Sequence, residues 1–165
     1  MNKRVIGAAL LGLVLPLSAC GNGDDEKAAQ AISKQMQDGG DSDFSVKKSE
    51  ADCVGEGFVS EIGTEQLQKY KIITSDLKAN NDVGNVKMSK DDAESAASVF
   101  QDCTDVKAMM VKGFESQGMP KDAQKCVEKE LTDERLNSFL VDQFQGKSTT
   151  GQDLGQALQS CVTSG

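Results

Sequence analysis

Apolar residues recur at helical spacing along most of the chain, and no window keeps the apolar–polar alternation of a half-buried strand. Residues 25–38 place Ala28, Ala29, Ile32 and Met36 on one side of a helix that Gly39-Gly40 ends. Residues 41–48 read as irregular, with Phe44 and Val46 in a short extended piece. Ser49 reads as an N-cap, followed by Glu50 and Asp52 in the first turn, where the helix dipole favours acids. That helix carries Cys53, Val54, Phe58 and Val59 and ends near Gly63; Thr64 then caps a short one through Tyr70. Residues 74–88 form the longest loop, with turn chemistry in Asn80-Asn81-Asp82-Val83-Gly84-Asn85. Ser89 opens a helix to Cys103, and Asp105 opens another with Val106, Met109, Met110, Val111 and Phe114, stopped by Gly118. Pro120 suits the first position of a helix running to about Leu131. Thr132 caps the next, with Leu136, Phe139, Leu140 and Phe144, ending at Gly146; Thr150 caps the last, with Leu154, Leu158 and Cys161. Tryptophan is absent and Tyr70 is the single tyrosine. The pattern predicts an all-α chain folded as a compact helical bundle.

The start of the chain follows a different logic. Met1-Asn2-Lys3-Arg4 is basic, Val5 to Leu17 is apolar without a charge, and Leu17-Ser18-Ala19-Cys20 follows. A basic start, a short apolar run and small residues before a cut form the layout of an export signal. The run is shorter than the ~20 apolar residues a membrane-spanning helix needs. Leu17, Ser18, Ala19 and Cys20 resemble the lipobox of bacterial lipoprotein signals at every position. The resemblance covers about the first 20 residues and implies cleavage before Cys20 and a diacylglyceryl group on its thiol. One acyl chain alone holds a membrane only marginally, so two or three would be expected. The expected organisation is a signal over residues 1–19, a lipidated N-terminus and flexible tether over 20–27, an N-terminal helix and irregular connection over 28–48, and a disulfide-bonded helical domain over 49–165. The expected location is the outer face of the cell membrane, or the outer membrane where the source has one.

Lipid on Cys20 leaves Cys53, Cys103, Cys126 and Cys161, an even number in an exported chain, which implies disulfides. An internal repeat bears on their pairing. Thr64-Glu65-Gln66-Leu67-Gln68-Lys69-Tyr70 aligns with Asp133-Glu134-Arg135-Leu136-Asn137-Ser138-Phe139, and each stretch follows a Cys-Val pair, Cys53-Val54 or Cys126-Val127. Phe58 and Leu131 stand five residues beyond each cysteine. Ala96, Phe100 and Cys103 then match Leu154, Leu158 and Cys161, both sets on one helical face. The chain thus reads as two diverged copies of one unit. If each copy closes on itself the bonds are Cys53–Cys103 and Cys126–Cys161, which the repeat favours; Cys103–Cys126 with Cys53–Cys161 is the alternative. Each bond would contribute roughly 4 kcal/mol in the chain-entropy model.

Charge and composition narrow the functions. The chain has 18 basic and 26 acidic residues and no histidine. Cleavage before Cys20 removes Lys3 and Arg4 and no acid, so the remainder carries a net charge of −10. An acidic chain lacks the basic face that binds nucleic acid, and it would not dock on anionic lipid through Lys and Arg. Without histidine there is no Ser-His-Asp or Cys-His catalytic set and no His-based zinc site. The cysteines also lack the close spacing of zinc ligands or of a Cys-x-x-Cys redox pair. Ser45-Val46-Lys47-Lys48 has a Ser-x-x-Lys spacing without the companion motifs of penicillin-interacting enzymes. Asp38, Asp41, Asp43 and Ser45 suggest calcium, but the sixth and twelfth positions counted from Asp41 are Val46 and Asp52 instead of Gly and Glu. Asp91-Asp92 reads as capping charge rather than a glycosidase pair. No cofactor or metal is expected, and no enzyme activity.

The Cys-Val helices, the Glu-x-Leu segments and the Cys-terminated helices over about residues 49–162 resemble small four-cysteine helical proteins, secreted or lipid-anchored, of actinomycete-type bacteria. That resemblance implies the helical fold and carries no assigned activity. The expected function is a lipid-anchored envelope protein acting as a non-catalytic binding or interaction module. A carboxylate-dependent envelope hydrolase and a purely structural envelope protein are the alternatives. Met109, Met110 and Phe114 form the candidate apolar surface for an envelope protein or a small apolar ligand, since Met-rich surfaces adapt to varied apolar partners.

Overall fold

A computed structural model describes residues 23–38, 46–80, 86–147 and 152–163. Among them the chain forms eight helices: α1 (Gly23–Asp38), α2 (Lys48–Glu61), α3 (Thr64–Lys69), α4 (Lys90–Cys103), α5 (Val106–Ser116), α6 (Lys121–Glu130), α7 (Asp133–Phe144) and α8 (Gln152–Thr163). The only β pairing among these residues is an isolated bridge between Ile73 and Ala79. The all-α expectation holds.

Three expected caps are present in atomic detail. Ser89 Oγ accepts from the Asp92 amide, Asp105 Oδ1 from the Ala108 amide and Thr132 Oγ1 from the Arg135 amide. Each satisfies one of the orphan donors of a helix N-terminus. Elsewhere the start moves. α2 begins at Lys48 because Glu50, as its third residue, reaches back to accept the Lys47 amide at 3.1 Å. Gly63, not Thr64, is the N-cap of α3. Thr64 spends its hydroxyl on a 2.6 Å hydrogen bond to Asp25 in α1. Pro120 is likewise the N-cap of α6, one position before its expected place.

The domain limits change more. α1 starts at Gly23, two residues before the helix expected over 25–38, so the helix takes up residues 23–27 of the expected tether. The expected break at residue 49 is not a packing boundary. Ala28 and Ile32 of α1 enter one core with Val54, Phe58, Leu67, Ile72, Ile73, Met88, Ala93, Ala96 and Val99. Ser33 adds a 2.6 Å hydrogen bond to Asp52 across the α1–α2 contact.

The repeat is real in three dimensions. α1–α4 build this first core; α5–α8, with Ala97 of α4, build a second around Val106, Val127, Leu131, Leu136, Leu140, Leu154 and Cys161. Residues matched in sequence are matched in burial: Val54 with Val127, Phe58 with Leu131, Leu67 with Leu136, and Ala96 with Leu154 are all buried. The bonds are Cys53–Cys103, joining α2 to α4, and Cys126–Cys161, joining α6 to α8. Each copy closes on itself. The sequence separations, 50 and 35 residues, differ mainly through the connection over residues 70–89, which residues 145–151 replace in the second copy.

Helices α4 and α7 meet at the seam between the copies. Phe144 stands edge-on to Phe58 and to Phe100, with ring centroids 5.9 Å and 6.3 Å away. Its carbonyl accepts the Met88 amide at 2.8 Å. Gly146, at φ +63, lets residues 86–87 pass so closely that a Cβ there would sit 2.7 Å from the Val86 carbonyl oxygen.

α3 ends in a Schellman motif. The Ile72 amide bonds the Leu67 carbonyl and the Lys71 amide the Gln68 carbonyl, with Leu67 and Ile72 buried beneath them. The left-handed position is Lys71, at φ +59, where glycine is usual. A side chain there costs roughly 1 kcal/mol. Lys71 is exposed, so Lys71→Gly is expected to raise stability by up to about 1 kcal/mol, read as a higher thermal midpoint.

Candidate functional site

Two helices stand at the same place in the chain order of the two copies, each before a Cys-Val helix, and pack differently. α1 precedes the Cys-Val helix of the first copy and buries Ala28, Ala29, Ile32 and Ser33, three of them small, in a close crossing with α2. α5 precedes the Cys-Val helix of the second copy and buries only Val106 and Gly113. Its larger apolar residues, Met109, Met110, Val111 and Phe114, are all half-buried. At 100° per residue they span an arc of about 200°, from Met109 through Gly113, Val106, Met110 and Phe114 to Val111. One packing face uses an arc nearer 100°. α6 is the principal helix against α5, and the Met109 end of the arc is the part that joins neither core.

The three residues expected at this surface are therefore placed unequally. Met110 and Phe114 pack against the second core, as do Val111 and Met119. Met109 belongs to neither core and stands half-buried on one margin of the arc. Val111, on the opposite margin, was not singled out from the sequence as part of this surface. Lys107 and Lys112 interrupt the apolar run, and Lys112 is exposed.

Carboxylates do not gather into a comparable feature. Asp92 accepts the Tyr70 hydroxyl at 2.5 Å and the Ser89 hydroxyl at 2.9 Å, and Tyr70 in turn accepts the Ser89 amide. This network fastens the end of α3 to the start of α4. Three carboxyls titrate below their ordinary range. Lys78 and then the Thr74 hydroxyl bring Asp76 down to about 2. Lys48 and then Ser33 lower Asp52, and the side chain and amide of Lys47 lower Glu50. Each is held as an anion by its own lysine, the opposite of the upward shift a carboxylic general acid needs near neutral pH. Lys78 is correspondingly raised by Asp76. In the open groove between α7 and α8, Arg135 is paired with Glu130 and Lys147 with Asp142. Among the described residues one buried donor, Gln101 Nε2, has no partner; nothing in the sequence marks it.

Among the described residues no three His, Cys, Asp or Glu side chains are placed to hold a metal ion, and no helix is long and apolar enough to cross a membrane. Cys20, with the whole lipobox, lies outside the described residues, as do Asp41, Asp43, Ser45 and Thr150. No protein-family model, curated protein or solved structure matches the chain.

Proposed function

We propose that the chain is an exported protein held on a membrane by lipid on Cys20, and that its helical domain is a non-catalytic binding module. Binding uses the apolar rim of α5. The observation that carries this reading is the contrast between α1 and α5. Equivalent positions in a duplicated unit hold one helix with small residues, packed tightly, and one with large apolar residues left half-buried. A half-buried Met on a helix margin, outside both cores, favours an apolar occupant. The two disulfides suit an oxidising, extracytoplasmic setting. α1 begins three residues after Cys20. Its first turn therefore lies within about 11 Å of the lipid attachment point, since an extended chain spans at most ~3.6 Å per residue. The domain would sit directly on the membrane surface.

Two substitutions test the two parts separately. Cys20→Ser is expected to release the protein from the membrane fraction, and retention equal to wild type would end the anchor reading. Met109→Glu is expected to reduce the fluorescence gain of the neutral apolar dye Nile red several-fold, whereas Gln156→Glu, on the exposed side of α8, leaves it unchanged. Equal dye binding by wild type and Met109→Glu would remove α5 as the binding surface.

A further inference from the structure

The two disulfides are equivalent by repeat position and unlike in their surroundings. In the first, Cys53 is exposed and Cys103 half-buried. A helical residue's backbone is largely covered by its own turns, so the exposure of Cys53 falls on Cβ and Sγ. In the second, Cys161 is only 2 % exposed and Cys126 is half-buried. The helices joined by the first bond are also held without it. Val54 and Phe58 of α2 and Ala96 and Val99 of α4 share the first core, and a Cβ on Gly57 would lie 2.5 Å from Val99 Cγ1. Among the described residues of α8, by contrast, Leu154 is the one buried apolar side chain besides Cys161 itself, with Leu158 half-buried.

We propose that Cys53–Cys103 is a reversible dithiol–disulfide couple on the surface of the folded domain, opened by a dithiol reductant attacking Cys53, while Cys126–Cys161 stays closed as a structural bond. A reductant thiolate attacks Cys53 Sγ and forms a mixed disulfide. The Cys53–Cys103 bond breaks, and its electron pair leaves on Cys103 Sγ, which takes a proton from water. The second thiolate of the reductant then attacks its own sulfur in the mixed disulfide, closing the reductant's disulfide and releasing the Cys53 thiolate, which is protonated in turn. Two electrons and two protons pass from the dithiol to the protein. Because packing keeps α2 and α4 together, the two thiols stay adjacent, and the same exchange run in reverse, with a small-molecule disulfide taking the two electrons and two protons, re-forms the bond.

The surroundings also select the reductant. Glu56 lies about 60° from Cys53 around α2 and Asp102 precedes Cys103 on α4, while Glu50, on the other side of Cys53, is paired with Lys47. Glu56 and Asp102 are exposed. An approaching thiolate is already an anion, so this acidic rim favours reductants whose remaining groups are neutral or cationic over anionic ones.

The test is graded reduction of the full-length protein by dithiothreitol without denaturant, followed by alkylation and peptide mapping. Cys53 and Cys103 are expected to label about tenfold faster than Cys126 and Cys161, or more, with helical circular dichroism unchanged. Labelling of all four together, labelling of Cys126 and Cys161 first, or labelling of Cys53 only after helicity is lost would each overturn the proposal. A second arm compares cysteamine with 2-mercaptoethanesulfonate at equal thiolate concentration. Cysteamine is expected to open the bond several-fold faster at low ionic strength, and the two rates to converge in high salt. Equal rates at low salt would overturn the charge selection.

Discussion

Gly55→Ala is expected to destabilise the domain by about 2 kcal/mol, although alanine is the better helix former. Gly55 is buried in α2 where α1 crosses it. A Cβ there would fall inside van der Waals contact of the Ala29 carbonyl oxygen and 3.1 Å from its carbonyl carbon. Both atoms are backbone, so relief requires α1 to move away, and the core formed by Ala28, Ile32, Val54 and Phe58 opens with it. Overpacking of this kind costs about 1–3 kcal/mol, occasionally more, against a gain of about 1 kcal/mol in helix propensity. The matching control is Gly155→Ala in α8, where nothing lies within 4 Å of the new Cβ. It should gain up to about 1 kcal/mol. Urea midpoints at unchanged m-value would read both. Equal effects from the two substitutions would show that the α1–α2 crossing tolerates a methyl group and is looser than described.

The second large effect is expected from Cys126→Ala with Cys161→Ala. The bond closes a 35-residue separation, and its loss should cost about 4 kcal/mol in the chain-entropy model. Much the same figure applies to Cys53→Ala with Cys103→Ala, where the separation is 50, because the entropy varies only with the logarithm of loop length. Local structure distinguishes them. α8 buries Leu154 and Cys161 and packs mainly on α6, so without its bond residues 152–163 should lose amide protection well before the rest of the chain. α2 and α4 lie in a core with α1 and α3 and should keep theirs. Protection of α8 unchanged in the double variant would mean that Leu154 and Leu158 alone secure the helix.

These two cases share a feature with the surface of α5. Gly55, Cys161 and Met109 each sit on an ordinary helix in the sequence, and each takes its importance from a neighbour distant along the chain. Met109, Met110, Val111 and Phe114 form one apolar run, and only tertiary packing separates the three that pack against the second core from Met109, which joins neither core. In the same way nothing in the sequence spacing distinguishes the exposed Cys53 from the buried Cys161.

Helix identity was legible because it depends on near neighbours. Periodicity at 3.6 residues, the caps at Ser89, Asp105 and Thr132, and the acids of the first turns act within a few residues of one another. The duplication was legible for a related reason: the same local signals recur in the same order, down to the Cys-Val pairs, and favoured the pairing of the cysteines. Where local signals compete, the outcome escaped the sequence. Thr64 gave its hydroxyl to Asp25 instead of capping α3, and Lys71 took the left-handed position usually held by glycine because Leu67 and Ile72 close the motif beneath it. The sequence by itself therefore determined an all-helical chain, its duplicated unit and, at Cys20, the chemistry expected of its N-terminus. Tertiary structure alone decided that α1 belongs to the first core, that Phe144 forms the seam, and that Cys53 faces solvent while Cys161 lies inside. The physical reason is range: hydrogen bonds along a helix are fixed by residues three or four apart, whereas burial is fixed by whichever face another helix happens to cover.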